Sequence, residues 1–316
     1  MIKYIIKRLL LLVFVFFVIM TICFFSIKLL PNEPVAAVGK DIQIILQRRE
    51  ALGYNKPIIE QFFIFLSRTL FGGDWGISEA QYYPRGVMEV FLEKLPPTIY
   101  VNVLSMIFSV PIGLGLGIFA ALKKNKWEDH VISTLVMVFI SVPSYVYAFL
   151  IQYLLCYKLG WFPFGMKSGY DYFSWDMFVS VVPAVLALSF GVIAGLTRYT
   201  RAELTEVLTS EFMLLARTKG LTRAQATTRH ALRNSMVPIF PSILGQFIYI
   251  ISGSLIIENI FSIPGEGNLM IDSITNKDYN MFMLESIFYC LIGLLAGIIV
   301  DLSYGFIDPR IRMGER

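Results

Sequence analysis

The stretch LPPTIYVNVLSMIFSVPIGLGLGIFAAL, residues 95–122, decides the fold class because it contains no Lys, Arg, Asp or Glu. At about 1.5 Å of helical rise per residue, a run of this length crosses the ~30 Å hydrocarbon layer of a bilayer. Further uncharged stretches occupy residues 9–27, 131–157, 177–197, 234–257 and 286–300. The last is short and needs neighbours from about Phe282 to Tyr304. We therefore predict an all-α polytopic membrane protein with six transmembrane helices.

The composition agrees with this class. The chain is 56% hydrophobic and 16% charged, whereas soluble domains are about 45–50% apolar and about 25% charged. The first apolar run is longer than the roughly 7–15 residues of a secretory signal core, so we expect an uncleaved span rather than a cleaved signal. Cys23, Cys156 and Cys290 lie in apolar stretches, and no disulfide framework or metal site is predicted.

The positive charges predict the orientation. With a cytoplasmic amino terminus and six spans, 16 of the 27 Lys and Arg residues fall on the cytoplasmic side. Eight of the other 11 lie between Lys28 and Lys94, in a segment too long for the positive-inside rule to apply. Without that segment, 16 Lys and Arg residues are cytoplasmic and three are extracellular. Both termini are therefore expected in the cytoplasm. The predicted divisions are residues 1–29, 30–94, 95–305 with a cytoplasmic loop at 198–235, and 306–316.

Residues 30–94 are expected to form a small extracellular helical cap between spans 1 and 2. Apolar residues recur at helical spacing after Pro57, which suits a first helical turn, and Gly72-Gly73 ends the pattern. The apolar positions are Ile59, Phe62, Phe63, Leu66 and Leu70.

Small residues and polar residues mark the spans in different ways. Gly113-Gly117-Ala121, Ala187-Gly191-Gly195 and Gly293-Gly297 have the four-residue spacing that allows close helix packing in lipid. No charge is predicted near a midplane, which disfavours an ion-coupled carrier. The remaining polar groups are candidates either for interhelical hydrogen bonds or for lining a translocation pathway. They are Asn102, Ser141, Ser144, Tyr145, Gln152, Gln246, Tyr249 and Ser252.

No catalytic signature is present. The sequence lacks HExxH, GxSxG and the nucleotide-binding GxxxxGK[ST] pattern. We therefore predict that the chain is not an enzyme, binds no cofactor or metal of its own and does not hydrolyse ATP alone.

The basic stretch ARTKGLTRAQATTRHALRNSMVP, residues 216–238, interrupts the apolar runs. Thr209 or Ser210 can cap a short helix over residues 211–219, and Gly220 suits its exit. Thr222-Arg223-Ala224-Gln225 has the capping-box pattern of a second helix running toward Pro238.

A helix of about nine residues is marginal alone in water, so the first of these helices needs a surface to lie against. That surface is the protein's own spans, anionic headgroups or a cytoplasmic partner. Nucleic acid is not expected, because the aromatic residues typical of single-strand binders are missing.

Several motifs in order now carry a family resemblance. The basic stretch resembles the cytoplasmic "EAA" loop of permeases in binding-protein-dependent ABC importers, in the variant of the oligopeptide and dipeptide permease B subunit family. The likeness extends to LGYNKPIIEQF, FGGDWGIS, LPPTIYVNVLS, ISVPSYVYAFLIQYLL, LTRYTRAELTEVL, IIENIFSIPGEGNLMIDSITNKDY and DLSYGFIDPRIR. Leu214-Leu215-Ala216 replaces Glu-Ala-Ala, and His230-Ala231-Leu232-Arg233 replaces Ile-x-Leu-Pro, both as in the peptide-permease variant. Asn280 stands where the family often has proline.

The resemblance implies a type I ABC importer permease fold and a coupling helix that docks on a separate ATPase. Closure of two ATPases around ATP and Mg would switch the permease between inward-facing and outward-facing states. The implied partners are a second homologous permease subunit, two ATP-binding subunits and an extracellular substrate-binding lipoprotein, in a bacterial cell membrane. The implied coupling residues are Leu215, Ala216, Arg217, Lys219, Gly220, Leu221 and Arg223.

Two questions stay open from the sequence. The loop from Glu258 to Tyr279 is either an outer gate or binding-protein contact, or only a structural turn. Its candidate residues are Glu258, Phe261, Pro264, Gly265 and Gly267. A peptide is the expected cargo, with nickel, a metallophore or glutathione as alternatives. A stand-alone channel or carrier with a lipid-binding loop is the rival class.

Overall fold

The computed structural model describes residues 2–29, 42–51, 53–169, 171–251 and 253–307, and these residues are almost entirely helical. No β-strand occurs within these ranges; Ile77 and Gly86 form one isolated bridge. The helices are α1 (Ile2–Lys28), α2 (Ile42–Ala51), α3 (Ile58–Leu66), α4 (Val87–Leu122), α5 (Trp127–Ser141), α6 (Ser144–Ile151), α7 (Trp175–Leu208), α8 (Glu211–Thr218), α9 (Arg223–Ala226), α10 (Leu232–Ile248), α11 (Leu255–Ile260), α12 (Leu269–Thr275) and α13 (Tyr279–Ile307).

Short segments of other helical types extend four of these helices. Residues Ser67–Phe71, Gln152–Lys158 and Thr227–Ala231 are π-helical, and Tyr249–Ile251 form a 3₁₀ turn. Because π-helical turns widen a helix locally, each of them marks a place where an ideal helix is interrupted.

Four described helices are long and apolar enough to cross a bilayer: Ile6–Lys28, Val87–Leu122, Trp175–Leu208 and Tyr279–Tyr304. Trp127–Ser141 and Ser144–Lys158 make a fifth if the pair, bent by 100°, is one span. The polytopic all-α fold is thus confirmed. The predicted span 234–257 corresponds to α10, the 3₁₀ turn and the start of α11, so the count of six spans stays a prediction.

The bend between α5 and α6 has a local cause. Pro143 has no amide hydrogen to continue a helical ladder, and the residue before a proline is pushed toward extended backbone. Val142 is indeed extended, with φ −86° and ψ 126°, and its amide closes α5 by donating to the Val138 carbonyl at 3.0 Å. Pro143 then caps the start of α6.

The chain divides into two compact units. One comprises Met1–Pro96 with Gly265–Ile298, and the other comprises Pro97–Pro264 with Ile299–Arg316. The predicted boundary at residue 94 lies close to the first division. Residues 265–298, which the sequence analysis placed in the permease core, group with the amino-terminal unit.

In the first unit, α3 packs against α1 through aromatic side chains. The rings of Phe24 and Phe62 lie 5.3 Å apart between centroids, and both side chains are buried. The predicted amphipathic helix is present as α3 and its π-helical extension, which ends at Gly72. Its extracellular location stays a prediction, and residues 30–41 of the predicted cap lie outside the described residues.

A second tie within this unit joins residues 76–80 to the start of α13. Asp278 accepts hydrogen bonds from the Ser78 hydroxyl and from the Ala80 amide, the latter at 3.4 Å. Asn280 donates to the Ile77 carbonyl at 2.9 Å. The residue that replaces the family's usual proline therefore fixes this junction by a side-chain hydrogen bond.

In the second unit, α4 and α7 approach closely at two glycines. A Cβ added at Gly113 would lie 3.0 Å from the Leu196 Cβ, and one added at Gly117 would lie 2.6 Å from the Thr200 Cβ. The Thr197 hydroxyl donates to the Gly113 carbonyl at 3.2 Å. The predicted close packing is confirmed here, whereas Gly195, Gly293 and Gly297 have nothing within 4 Å of such a Cβ.

Candidate functional site

The short helix α8 begins after Ser210, as the sequence predicts. The Ser210 carbonyl accepts from the Met213 amide at 3.1 Å. Its hydroxyl does not cap the helix and instead donates to the Val207 carbonyl at 2.6 Å. Glu211 in the first turn places a negative charge at the positive end of the helix.

The end of α8 is fixed by Gly220. Its φ of +90° is a left-handed conformation that residues with a Cβ rarely adopt. The Gly220 amide donates to the Arg217 carbonyl at 3.0 Å, and the Leu221 amide donates to the Ala216 carbonyl at 3.4 Å. These two bonds form a Schellman motif, which turns the chain sharply out of the helix.

The following helix starts with the predicted capping box. The Gln225 amide donates to the Thr222 hydroxyl at 3.3 Å, and the Thr222 amide donates to the Gln225 side-chain oxygen at 3.0 Å. From Arg223 the chain is helical without interruption to Ile248, through α9, the π-helical segment and α10.

One face of α8 is packed against the chain itself. Met213 and Ala216 are buried in a cluster with Ala121 of α4 and Leu204 of α7, and Leu221 packs against that cluster. Ala216 and Leu221 are among the coupling residues that the family resemblance implies. Ala216 is buried against the chain itself and Leu221 is half-buried, so neither presents a fully exposed side chain to a partner.

The opposite face of α8 is exposed and apolar. Phe212 is exposed, and Leu214 and Leu215 are 65% and 55% exposed. Phe212, Met213 and Leu215 were expected to be exposed; Met213 is buried instead, and Leu214 was missed, because the two faces of so short a helix cannot be told apart by periodicity.

Basic side chains border this surface. Arg217, Lys219 and Arg223 are exposed, and in the described part of the chain none of them forms an ion pair. We call Phe212, Leu214 and Leu215 with these three cations the α8 surface. An apolar patch with a basic rim fits a partner that has an apolar groove and acidic edges.

A partly buried ion pair lies in the same unit and was not predicted from the sequence. Asp129, at the start of α5, is 1% exposed. Arg201 of α7 donates to both of its oxygens, at 2.5 Å and 2.7 Å. The Asn125 amide and the Ser133 hydroxyl also donate to Asp129, at 2.9 Å and 3.4 Å.

The proposed pathway residues are not gathered at one place. Asn102 donates to the Ile250 carbonyl at 2.7 Å, and Gln152 donates to the Ile260 carbonyl. These two side chains join helices by hydrogen bonds to backbone, which is the alternative reading of such residues. The Gln246 side-chain oxygen is buried and has no partner within the described part of the chain.

Other pathway candidates lie at the α5–α6 bend. Ser141, Ser144 and Tyr145 are all exposed there. Tyr249 belongs to the 3₁₀ turn, and its side chain lies outside the described residues, as does the whole of Ser252.

Two large cavities lie against α5 and α7. The first, about 700 Å³, has an entirely apolar surface and includes Phe108, Ile112, Leu135, Leu186 and Phe190. We call it the apolar cavity. The second, about 710 Å³, opens at the bend and includes Ser144, Tyr147, Gly195, Arg198, Tyr199 and Glu203. We call it the polar cavity.

Two of the three candidate gate residues of the second unit are buried. Glu258 is buried, and its carboxylate accepts from the Thr98 hydroxyl at 2.7 Å. Phe261 is 2% exposed in the core with Ile257, and its carbonyl accepts from the Met166 amide at 3.2 Å. Pro264 is exposed.

The other candidate gate residues belong to the first unit. Gly265 is buried and Gly267 is half-buried. Within the described ranges, no group of three or more His, Cys, Asp or Glu side chains is arranged to hold a metal ion.

Residues 113–313 match the family model of the binding-protein-dependent transport system inner membrane component, and residues 1–100 match the model of its N-terminal part. Over 315 residues the chain is 32% identical to the glutathione transport system permease protein GsiC of Escherichia coli (strain K12), with 99% of each chain covered. The GsiC protein of Shigella boydii serotype 4 (strain Sb227) gives the same identity and coverage.

Solved structures share the fold. A crystal structure of an amino acid ABC transporter with histidines superimposes with a TM-score of 0.51 at 21% identity, covering 69% of this chain and 94% of the other. The inward-facing MetNI methionine ABC transporter gives a TM-score of 0.52 at 16% identity, covering 70% of this chain and 97% of the other.

Proposed function

This chain belongs to the family of binding-protein-dependent transport system inner membrane components and is an ABC importer permease, and from that premise we propose that it imports peptides and is driven through its α8 surface. The main support for docking of an ATPase on α8 is that Leu214 and Leu215 are exposed beside basic side chains. A soluble, water-facing helix of eight residues gains nothing from two exposed leucines unless a partner covers them.

The support for this coupling role is the way α8 is mounted. Its inner face is packed on Ala121 and Leu204, so a push on its outer face reaches α4 and α7 directly. The Schellman exit at Gly220 and the capping box at Thr222 connect it to the helix that continues to Ile248. We propose Phe212, Leu214 and Leu215 as the residues that enter the ATPase groove, with the three cations at its acidic rim.

The proposed assembly contains this chain, a second homologous permease subunit, two ATP-binding subunits that bind ATP and Mg, and an extracellular substrate-binding lipoprotein. The family places the chain in the bacterial plasma membrane. We propose that both termini and α8 face the cytoplasm, as the distribution of Lys and Arg predicts.

The proposed cargo class rests on the relatives and on the motifs. The GsiC relatives are named for transport of glutathione, which is a tripeptide, and the motif variant resembles that of oligopeptide and dipeptide permeases. Nickel or a metallophore is the alternative cargo within the same architecture.

Co-purification tests the coupling role. The tagged chain is expressed with the ATP-binding subunits encoded beside it and is purified in mild detergent. Leu215→Asp is expected to lower ATPase recovery by about tenfold or more, since a charge then enters an apolar contact. Leu70 is the control because it is a leucine of similar exposure, 52%, on the segment expected on the other side of the membrane.

Leu70→Asp is expected to keep the ATPase. Equal recovery with both variants would remove the α8 surface from the interface. If the parent chain recovers no ATPase, the coupling proposal fails altogether.

Titration of the neighbouring substrate-binding protein tests the cargo. We expect binding of short peptides such as trialanine or glutathione. A binding protein that retains only nickel or a metal chelate would replace the peptide proposal while leaving the coupling role intact.

A further inference from the structure

We propose that the polar cavity at the α5–α6 bend is a binding site for a short zwitterionic peptide during transport. Arg198 would bind the peptide carboxylate and Glu203 its ammonium group. This inference rests on the proposed peptide cargo and names the side chains of this chain that would hold it.

The polar cavity resembles the apolar cavity in size and position but differs from it in chemistry. Both cavities lie against α5 and α7 and have almost the same volume, about 700 and 710 Å³. Volumes of this size are typical of sites that enclose small molecules. The apolar cavity has a surface that suits lipid chains, because Ser189, its one hydroxyl residue, turns its hydroxyl inward to the Val185 carbonyl at 2.7 Å.

The polar cavity has a different chemistry. Arg198, Glu203, Ser144, Tyr147 and Tyr199 contribute to its wall. Charged and hydroxyl side chains such as these can bind a polar ligand, which an apolar wall cannot. The polar cavity is therefore better suited to a polar molecule than to a lipid chain.

The two charged residues of the cavity are available to a ligand. Neither Arg198 nor Glu203 forms an ion pair or side-chain hydrogen bond within the described residues. A guanidinium binds a carboxylate through two parallel hydrogen bonds, and a carboxylate accepts from an ammonium group. Together they match the two charged ends of a free peptide.

The spacing of the pair fits a short peptide. The two residues are five positions apart on α7, which is about 7.5 Å along the helix axis. An extended peptide of two or three residues spans roughly 7–11 Å. Longer peptides would place only one end in this cavity.

Two glycines, Gly191 and Gly195, also contribute to the wall of the polar cavity. Gly195 has nothing within 4 Å of a built Cβ, and the wall at Gly191 is closed only by the Tyr147 hydroxyl, 3.3 Å from such a Cβ. The chain bends by 100° at this point, and Ser144 and Tyr147, which follow the bend, contribute to the cavity wall.

Cysteine accessibility tests the location. Gly195→Cys is introduced into a chain whose three native cysteines are replaced by alanine, and the complete importer is placed in nanodiscs so that both membrane faces are accessible. A water-soluble thiol reagent is expected to modify this cysteine, and trialanine with the loaded binding protein is expected to slow the modification at least about fivefold. Leu186→Cys, in the apolar cavity, is the matched control and is expected to stay unmodified.

Substrate variants test the two charges. In the reconstituted importer, Arg198→Gln is expected to lower trialanine uptake by about tenfold, the usual effect of losing a charge-assisted hydrogen bond. Uptake of trialanine amide, which lacks the carboxylate, is expected to change little. Arg198→Lys keeps a positive charge and is expected to restore part of the preference for trialanine over its amide. Glu203→Gln is expected to lower uptake of trialanine but not uptake of its N-acetyl derivative, which lacks the ammonium group. For each substrate, uptake by the variant is divided by uptake by the parent complex. The preference of the binding protein for one substrate over another then cancels.

The outcomes separate the two proposals. If the parent complex imports no peptide, the proposed function fails and this inference fails with it. If it imports peptides but Gly195→Cys is not protected, or if Arg198→Gln lowers uptake of trialanine and its amide equally, only the assignment of the polar cavity is overturned.

Discussion

The Asp129 carboxylate at the start of α5 accepts two hydrogen bonds from the Arg201 guanidinium of α7, at 2.5 Å and 2.7 Å. Arg201 lies one turn before Leu204, which is part of the cluster beneath α8. Asp129 lies at the base of the helix that bends at Pro143. The ion pair therefore joins α7, which packs beneath α8, to α5, which borders the polar cavity.

Breaking this pair should uncouple transport from ATP hydrolysis. Asp129→Asn leaves Arg201 without its counter-charge, and we expect a loss of about 2 kcal/mol, below the 3–5 of fully buried pairs because Arg201 is 31% exposed. ATPase activity of the reconstituted importer should persist while the peptide imported per ATP falls severalfold.

The exchanged pair is the control for this prediction. Asp129→Arg with Arg201→Asp keeps both charges, and partial recovery of uptake per ATP is expected. If Asp129→Asn lowers ATP hydrolysis and uptake in proportion, the pair is only structural.

Gly117 and Gly115 of α4 should respond differently to replacement by alanine, because only Gly117 lies close to α7. In Gly117→Ala the new Cβ would lie 2.6 Å from the Thr200 Cβ and 2.8 Å from the Thr197 carbonyl oxygen. Overpacking of this kind costs about 1–3 kcal/mol. Gly115 has nothing within 4 Å, so Gly115→Ala is expected to be neutral or slightly stabilising. Thermal unfolding of the purified complex should show a lower midpoint for Gly117→Ala alone; equal midpoints would argue against the close approach.

The exit from α8 requires glycine at position 220. Gly220→Ala forces a Cβ into a left-handed backbone conformation at φ +90°, at a cost of about 1–2 kcal/mol. Since no atom crowds this site, the whole effect should come from backbone strain. We expect weaker recovery of the ATPase, and Gly220→Asn should be milder because Asn tolerates this region better. An alanine variant with unchanged ATPase recovery would contradict the assignment.

Asp278 should give stability a dependence on pH. Burial raises the pKa of its carboxyl above the usual range, while hydrogen bonds from Ser78 and Ala80 act in the opposite direction. A carboxyl whose pKa is higher in the folded state contributes stability below the unfolded pKa of about 3.9, and that contribution is lost as pH rises through the folded pKa. Relative to Asp278→Asn, the parent chain should therefore lose thermal stability as pH is raised from acid to neutral. A difference that stays constant across this range would refute the shift.

The sequence predicted the features that depend on local chemistry. The uncharged run of residues 95–122 predicted a spanning helix, and α4 contains it. The left-handed Gly220 and the Thr222 capping box followed from residue types with few conformational alternatives, and both were confirmed.

Features that depend on tertiary packing were not predictable. Asp129 follows Glu128 in an ordinary helix start, and nothing near it in the chain indicates that Arg201, 72 residues away, is its partner. Ala216 was expected to face outward, but a face becomes buried only through the neighbours that three other helices supply. Arg198 was predicted only as one of the cytoplasmic cations and Glu203 was not singled out, because the cavity that they border is formed by helices distant in sequence.

The uninterrupted helical segment from Arg223 to Ile248 has a mechanical consequence. Its 26 residues make a rod of about 39 Å, so a tilt of about 10° at one end displaces the other by roughly 7 Å. Pro238 and Pro241 withdraw two amide donors from its second half. The π-helical turn at Thr227–Ala231 is a further departure from an ideal helix, nearer to α8. A displacement of α8 is therefore expected to bend this segment gradually along its length rather than at a single hinge.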